Sequence, residues 1–83
     1  MLIVMRAEKL ALGVIAENLR RLRRRASLSQ EALVAKTDGV SIATLKNLER
    51  GSNQNPEVST LGKLAGALGV SVSDLFKEPR KRA

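Results

Sequence analysis

Residues 28–51 read LSQEALVAKTDGVSIATLKNLERG, and this stretch decides the fold. It contains two short helical patterns, each opened by a serine, Ser29 or Ser41, whose hydroxyl can accept a hydrogen bond from a free backbone amide. In each pattern the residue before the serine is apolar and has a leucine five positions after it, which is a hydrophobic staple. Gly39 lies in the turn between the patterns, and Gly51 closes the second one. The stretch therefore predicts two short helices at a fixed mutual angle, a helix-turn-helix pattern.

The composition excludes most kinds of catalytic or metal site. The chain has 83 residues, enough for one small domain, and contains no cysteine, histidine, tryptophan or tyrosine. This composition excludes disulfides, catalysis by a thiolate or an imidazole, and the usual zinc ligand sets. The carboxylates are scattered singly along helical stretches, so we expect neither an enzyme nor a protein with a metal, a cofactor or a small-molecule ligand. The longest apolar run, residues 2–5, is too short to span a membrane, and we expect a cytoplasmic, nucleoid-associated protein.

The net charge of +7 is unevenly distributed along the chain. Residues 1–27 carry seven basic and two acidic groups, and residues 77–83 carry four and one, whereas residues 28–76 carry four and five. The helix-turn-helix segment is thus nearly neutral, and long-range attraction to phosphate has to come from the first helix and the tail. This division predicts few base-specific contacts, supported by a separate source of electrostatic attraction.

Three further helical patterns flank this segment. Residues 14–26 predict the first core helix, since apolar side chains recur there at helical spacing on one face: Ile15, Leu19, Leu22 and Ala26. The opposite face of that helix carries Arg20, Arg21 and Arg24. After the polar loop SNQNPEV, the sequence predicts a fourth helix capped by Ser59 and a fifth capped by Ser71. Leu75 and Phe76 are expected to close the core.

The two ends of the chain have different patterns. Residues 1–13 form an amino-terminal extension that is either the start of a long first helix, from about Glu8, or a short strand over residues 2–5; we favour the helix. An exposed strand edge there would offer a dimer contact. Residues 77–83 form a basic, flexible tail that is too short and polar to fold alone. The folded domain is therefore expected over residues 14–76.

The ordered set of these motifs resembles the Cro/CI-type (XRE-like) helix-turn-helix family of bacterial and phage transcriptional regulators. The resemblance rests on SQEAL opening the second helix, SIATLKNLERG as the third, an NP loop, and LGKLAGALGVSVSDLF as the fourth and fifth. It implies an all-α fold, a compact five-helix bundle of the lambda-repressor-like DNA-binding domain type with the helix-turn-helix in helices 2 and 3. The turn over residues 36–40 is one residue longer than is usual in the family, so the groove register is where the template fits worst.

The resemblance also implies roles for individual residues. Gln30 matches a glutamine that contacts a backbone phosphate, and Arg23 and Glu49 match a structural pair that ties helix 1 to helix 3. The loop after Gly51 matches a segment whose amides and polar side chains hold phosphate. The candidate DNA-binding residues are then Gln30, Ser41, Ile42, Ala43, Thr44, Lys46, Asn47, Asn53, Gln54 and Asn55.

Helical spacing gives the third helix an inner and an outer face. Leu45 and Leu48 point inward, which leaves an outer face made of Ala43, Lys46, Asn47 and Arg50. Asn47 is the best candidate for direct base reading, because its amide can both donate and accept toward an adenine edge. For Lys46 and Arg50, attraction to phosphate is the more expected role.

The expected function is sequence-specific binding of double-stranded DNA by a transcriptional regulator, a repressor that acts as a homodimer on a near-palindromic operator. The sequence leaves two alternatives open. The first is an antitoxin-like module of the same fold, which neutralises a toxin-like protein partner through its apolar amino-terminal segment. The second is an architectural DNA binder, driven by the arginine cluster and the tail, that has no sequence preference.

Overall fold

The computed structural model describes residues 2–53 and 55–78, and for residues 2–9 it describes the backbone alone. The described residues form α-helices and no strand, and the helices are α1 (Leu2–Arg25), α2 (Gln30–Ala35), α3 (Ile42–Arg50), α4 (Val58–Leu68) and α5 (Val72–Phe76). The expected all-α fold of five helices is confirmed, and α2 and α3 form the helix-turn-helix. Within the described part of the chain, none of the helices has both the length and the hydropathy needed to cross a membrane.

Serine caps begin both helices of the helix-turn-helix, as the sequence predicts. Ser29 Oγ accepts a hydrogen bond from the backbone N–H of Ala32 at 2.9 Å, and Ser41 Oγ accepts one from that of Thr44 at 3.1 Å. α3 ends at Gly51, whose φ of 73° lies in the left-handed region that most side chains disfavour. These caps fix the start of α2 and both ends of α3.

The turn between α2 and α3 is closed by Thr37. Its hydroxyl donates to the Val34 carbonyl at 2.7 Å and accepts from the Val40 N–H at 3.4 Å. The turn is therefore held by local side-chain to backbone hydrogen bonds.

The core lies where the five helices meet. α1 packs against α3 and α5, while α2 contacts α3 and α4. The buried apolar cluster consists of Ile15, Leu19, Leu33, Leu45, Leu48, Leu61, Leu64, Ala65 and Leu75. Burying one leucine side chain contributes roughly 1.5 to 3 kcal/mol relative to leaving it exposed. The inward positions of Leu45 and Leu48 are confirmed, so the apolar side of α3 is committed to the core and the other side is free to face a partner.

Residues 2–13 continue α1, and this observation corrects one expectation for the amino-terminal extension. The backbone is one helix over Leu2–Arg25, so the alternative of a short strand is wrong and the helix begins well before Glu8. Once a helix is nucleated, each further residue adds one hydrogen bond at little extra cost. The packed carboxyl-terminal half of α1 supplies that nucleus, and no proline interrupts residues 2–13.

The start of α4 differs from the expectation of a Ser59 cap. The helix begins at Val58, its cap residue is Glu57, and Ser59 lies inside the first turn. Glu57 is the last extended residue, with φ −78° and ψ 139°, and its carboxylate suits the positive end of the helix. Gly69 ends α4 with φ 74°, in the left-handed region.

Two apolar residues that the sequence predicts in the core, Phe76 and Ala26, are exposed to solvent. Phe76 is 48 % exposed because Leu75, fully buried, already occupies the inner side of α5, and neighbours in a helix point about 100° apart. Ala26 is exposed because α1 ends at Arg25, where the chain turns through Ser27 at φ 60°.

The start of α5 follows the expectation of a cap by Ser71. Asp74 accepts hydrogen bonds from the Ser71 N–H at 2.9 Å and from its hydroxyl at 3.0 Å. Asp74 also forms an ion pair with Lys77 at 2.8 Å. The bond to Lys77 and the two from Ser71 lower the pKa of Asp74 from 3.8 to about 2.

Candidate nucleic-acid interface

The outer face of α3 brings the predicted recognition residues together. Ala43, Lys46, Asn47 and Arg50 are exposed, while Leu45 and Leu48 on the inner side are buried. At the first turn, Ser41 is exposed, and Ile42 and Thr44 are half-buried. The carboxyl-terminal half of this face therefore consists of two cations and one amide.

Asn47 and Arg50 are hydrogen-bonded to each other on this face. Arg50 Nη2 donates to Asn47 Oδ1 at 3.0 Å, and Arg50 Nε donates to the Lys46 carbonyl at 3.4 Å. The guanidinium thus folds back along its own helix by one turn and lies beside the amide. The amide oxygen, which is the atom that accepts from adenine in asparagine readout, is already bound to a cation.

The hydroxyls at the start of α3 are also engaged. Ser41 Oγ accepts from the Thr44 N–H and donates to Thr44 Oγ1 at 2.9 Å. Both hydroxyls serve the helix start, so a DNA contact by either one has to share a group that is already hydrogen-bonded.

A polar network joins α1, α2 and α3 behind the outer face. Arg23 binds Glu49 at two points, with Nε 2.7 Å from Oε2 and Nη2 3.0 Å from Oε1. Gln30 Nε2 donates to Glu49 Oε1 at 3.2 Å, and Arg23 Nη1 donates to the Leu28 carbonyl at 2.9 Å. Glu49 is only 4 % exposed, so this carboxylate is shielded from water. We call Arg23, Gln30 and Glu49 the polar clamp.

The electrostatics of the polar clamp favour the charged state of Arg23. The hydrogen bonds that Arg23 donates to the Glu49 carboxylate raise the pKa of Arg23 above its usual value, although burial opposes this effect. Two-point bonds between a guanidinium and a carboxylate have a defined geometry, so they fix the angle as well as the distance between α1 and α3. Arg20 adds a second tie, because its Nη1 donates to the Glu49 carbonyl.

Gln30 lies at the first position of α2 and is half-buried. One hydrogen of its amide is directed to Glu49, and an amide NH2 group has two. A phosphate contact by Gln30 would therefore use the second hydrogen while the first holds the polar clamp.

Some polar groups of the loop after α3 are already hydrogen-bonded to α3 or within the loop. Ser52 donates to the Asn47 carbonyl with its N–H at 3.0 Å and with its hydroxyl at 3.2 Å, and so ends the helix. Asn53 Oδ1 accepts from the Asn55 N–H at 3.0 Å, which fixes the local turn. Asn53 is half-buried and Asn55 is exposed. The third candidate in this loop, Gln54, lies outside the described residues.

The arginines of α1 fall into two groups. Arg20 and Arg23 are half-buried and bound to α3, whereas Arg21, Arg24 and Arg25 are exposed. The expectation of one solvent-facing set is corrected for Arg20, because the Glu49 carbonyl binds its guanidinium. The first group therefore positions helices, and the second group places positive charge at the surface.

An apolar groove lies between α1, the start of α4 with the segment before it, and α5. It has a volume of about 300 Å³, and its lining includes Leu12, Ile15, Pro56, Val58, Leu61 and Phe76. Val58 is 72 % exposed and Phe76 is 48 % exposed, so part of the lining meets water. Among the residues whose side chains the structure describes, none that lines this groove is charged, although charged residues make up 28 % of the chain. We call this feature the apolar groove.

The sequence reasoning missed Asn18, which is fully buried. Its Nδ2 donates to the Leu75 carbonyl at 2.8 Å and to the Lys77 carbonyl at 2.7 Å, and its Oδ1 accepts from Arg21 Nη2 at 3.2 Å. Asn18 thereby binds the carboxyl end of α5 to α1. The available signal was its place three residues after Ile15, where helical spacing calls for a buried side chain.

Known proteins share this arrangement. Residues 19–75 match the HTH_3 family model, described as helix-turn-helix. An uncharacterized HTH-type transcriptional regulator of Sinorhizobium fredii, y4dJ, is 47 % identical over 62 residues, which are 75 % of this chain and 78 % of that protein.

Two solved structures have the same fold. An HTH_3 family transcriptional regulator from Vibrio cholerae has a TM-score of 0.75 and 38 % identity over 83 % of this chain, which spans only 38 % of the Vibrio chain. The hypothetical transcription factor NHTF from Neisseria has a TM-score of 0.78 and 32 % identity over 87 % of this chain and 80 % of its own. These three relatives are named as regulators of transcription.

Proposed function

Because the chain belongs to the HTH_3 helix-turn-helix family of DNA-binding transcription regulators, as the resemblance to Cro/CI-type regulators predicted, we propose that it represses transcription by binding a specific double-stranded sequence. Two copies act on a near-palindromic operator at the bacterial nucleoid. The observation that carries the proposal is the outer face of α3, which is exposed along its length while Leu45 and Leu48 anchor the helix. The major groove of B-DNA admits an α-helix presented in this way.

The phosphate contacts come from around α3. The amino end of α2 offers Gln30, the loop after α3 offers Asn53 and Asn55, and the end of α1 offers the exposed charge of Arg24 and its neighbours. Contacts of this kind fix the register of a protein on the duplex but carry no base information. The polar clamp supports the division, because it holds the ends of α1 and α2 at a fixed position relative to α3.

A selection from random double-stranded DNA, followed by affinity measurements over a range of salt concentrations, tests this function. We expect Asn47→Ala to relax the preference at one base position. Arg24→Ala should weaken all sequences alike and lower the slope of log affinity against log salt by about 1. Equal losses from both changes on selected and random DNA would contradict the division. Binding without any selected sequence would favour the architectural alternative.

The apolar groove supports a second copy of this chain as the dimer partner. Each copy carries a net charge of +7, so two copies repel one another unless they meet through a surface that keeps cations apart. The apolar groove is such a surface, since its described lining is uncharged and includes the exposed side chains of Val58 and Phe76. Burial of these two side chains between copies supplies hydrophobic stabilisation.

Sedimentation equilibrium and footprinting test the dimer. We expect Val58→Glu to produce monomers and to weaken binding to a two-half-site operator, because Val58 is exposed and its replacement leaves the core intact. Ala35→Glu is the matched control, since it adds the same charge at an exposed position of α2 away from the apolar groove. The footprint should show two half-sites about 34 Å, or about 10 base pairs, apart. A protected single half-site, or a stable complex with a different small protein, would contradict the dimer.

A further inference from the structure

We propose that Asn47 and Arg50 act as one unit that selects guanine, in which Arg50 determines the base preference and Asn47 positions it. The inference rests on the proposed reading of DNA by α3. It reverses the expectation that Asn47 reads adenine. The observation that carries it is the 3.0 Å hydrogen bond from Arg50 Nη2 to Asn47 Oδ1.

The amide oxygen of Asn47 already accepts a hydrogen bond from Arg50, and this disfavours contact with adenine. An asparagine recognises adenine by accepting from the N6 amino group while it donates to N7. Here the accepting oxygen is bound to a guanidinium. A carbonyl oxygen has a second lone pair, but an adenine amino group that used it would be placed against a cation that is itself a donor. Adenine and cytosine, which present amino groups in the major groove, are therefore disfavoured at this position.

The guanidinium of Arg50 is held in place and keeps free donors that suit guanine. Arg50 donates from Nε to the Lys46 carbonyl and from one Nη2 hydrogen to Asn47 Oδ1. The remaining N–H groups on Nη1 and Nη2 form the end of the fork, which matches the N7 and O6 acceptors of guanine. Since two bonds within the helix already hold the side chain, less rotamer freedom is lost when it binds a base.

The rest of the outer face has the same donor-rich character. The ammonium group of Lys46 donates only, and Ala43 has no polar side-chain atom. Beside the outer face, at the start of α3, the hydroxyls of Ser41 and Thr44 are bonded to each other. An outer face with many donors and few free acceptors suits a base edge that presents two acceptors, and in the major groove that edge belongs to guanine.

Selections from random double-stranded DNA with wild type and variants test the unit. Wild type should enrich guanine at one position of each half-site. Arg50→Ala frees the Asn47 oxygen and should move the preference toward adenine, changing the ratio of guanine to adenine affinities by about tenfold or more, which lies within the range of one bidentate contact. Arg50→Lys keeps the charge and the salt dependence but lacks the planar fork, so it should reduce the guanine preference alone.

Lys46→Ala is the matched control, because Lys46 is an exposed cation on the same face and should weaken all sequences alike. Adenine selected by wild type would overturn the inference, and so would equal, sequence-independent losses in Arg50→Ala and Lys46→Ala with guanine still preferred. If no sequence is enriched by wild type, the proposed sequence-specific function fails together with this inference. Adenine enrichment refutes the inference alone.

Discussion

Replacement of Glu49 by alanine should destabilise this domain more than any substitution of an exposed acidic residue. The carboxylate accepts from Arg23 at two points and from Gln30, and Glu49 is 4 % exposed. Removing one partner of a buried ion pair costs about 3 to 5 kcal/mol, because the other charge is left uncompensated. The Arg23 side chain is 12 % exposed and keeps its bond to the Leu28 carbonyl. We therefore place the loss at the low end, about 3 kcal/mol.

Thermal and urea unfolding followed by circular dichroism measure this loss. In a domain of this size, about 1 kcal/mol lowers Tm by roughly 4 to 8 °C, so Glu49→Ala should lower it by roughly 12 to 24 °C. Glu17→Ala is the control, because Glu17 is an exposed glutamate of α1 and its loss should stay within about 0.5 kcal/mol. A double-mutant cycle with Arg23→Ala should give a coupling free energy of about 1 kcal/mol or more.

Two results would refute this reasoning. The first is a loss below about 1 kcal/mol in Glu49→Ala, which is the size found for exposed ion pairs. The second is additivity of the two single substitutions in the double variant, since residues that form one bonded unit do not act independently. Either result would mean that the polar clamp does not hold α1 against α3.

Four further substitutions have effects that the structure fixes in sign. Asn18→Ala leaves the buried Leu75 carbonyl and the partly buried Lys77 carbonyl at the end of α5 without this donor and should reduce the free energy of unfolding by about 2 to 3 kcal/mol in urea titrations; a loss below about 0.5 kcal/mol would show that water replaces the amide. Gly66→Ala adds a Cβ that meets nothing within 4 Å and should stabilise α4 by about 0.5 to 1 kcal/mol, whereas Gly69→Ala, at φ 74°, should destabilise it by about 1 kcal/mol; shifts of Tm in the same direction would contradict this pair. Because the folded pKa of Asp74 is lowered to about 2, its stabilising effect is complete above pH 4 and is lost as the pH falls toward 2. The difference in unfolding free energy between wild type and Asp74→Asn should vanish over that window, and a constant difference would exclude the capping carboxylate as its cause.

The caps and the core could be predicted because their signals are local. Ser29, Ser41 and Ser71 begin their helices, and Gly51 and Gly69 end theirs, since hydroxyl caps and left-handed glycines depend on a few neighbouring residues. Helical periodicity likewise identified the buried leucines of α3. Ser59 was misassigned because a cap signal one residue after the true start is indistinguishable from the sequence alone.

The contacts that tie distant segments together could not be predicted in the same way. Asn18 meets α5 nearly sixty residues along the chain, and Arg20 binds a backbone carbonyl of α3. Sequence spacing predicts whether each side chain lies on the core-facing or the solvent-facing side of its helix. It does not predict which distant carbonyl lies opposite that side chain. The bond between Arg50 and Asn47 is local, at a separation of three residues, but spacing alone gives no preference between that bond and contact with a phosphate.

At the end of α3, the side chains proposed to contact DNA are different atoms from the main-chain groups that finish the helix. The atoms of Asn47 that finish the helix belong to its main chain, since the carbonyl accepts from Ser52. Any amino acid at position 47 supplies that same carbonyl. Lys46 and Arg50 are equally exposed, and neither side chain belongs to the buried cluster. Under the proposed reading of DNA by α3, base preference can therefore change by single substitutions with little loss of folding free energy, which makes the outer face of α3 open to divergence among related proteins and suitable for redesign.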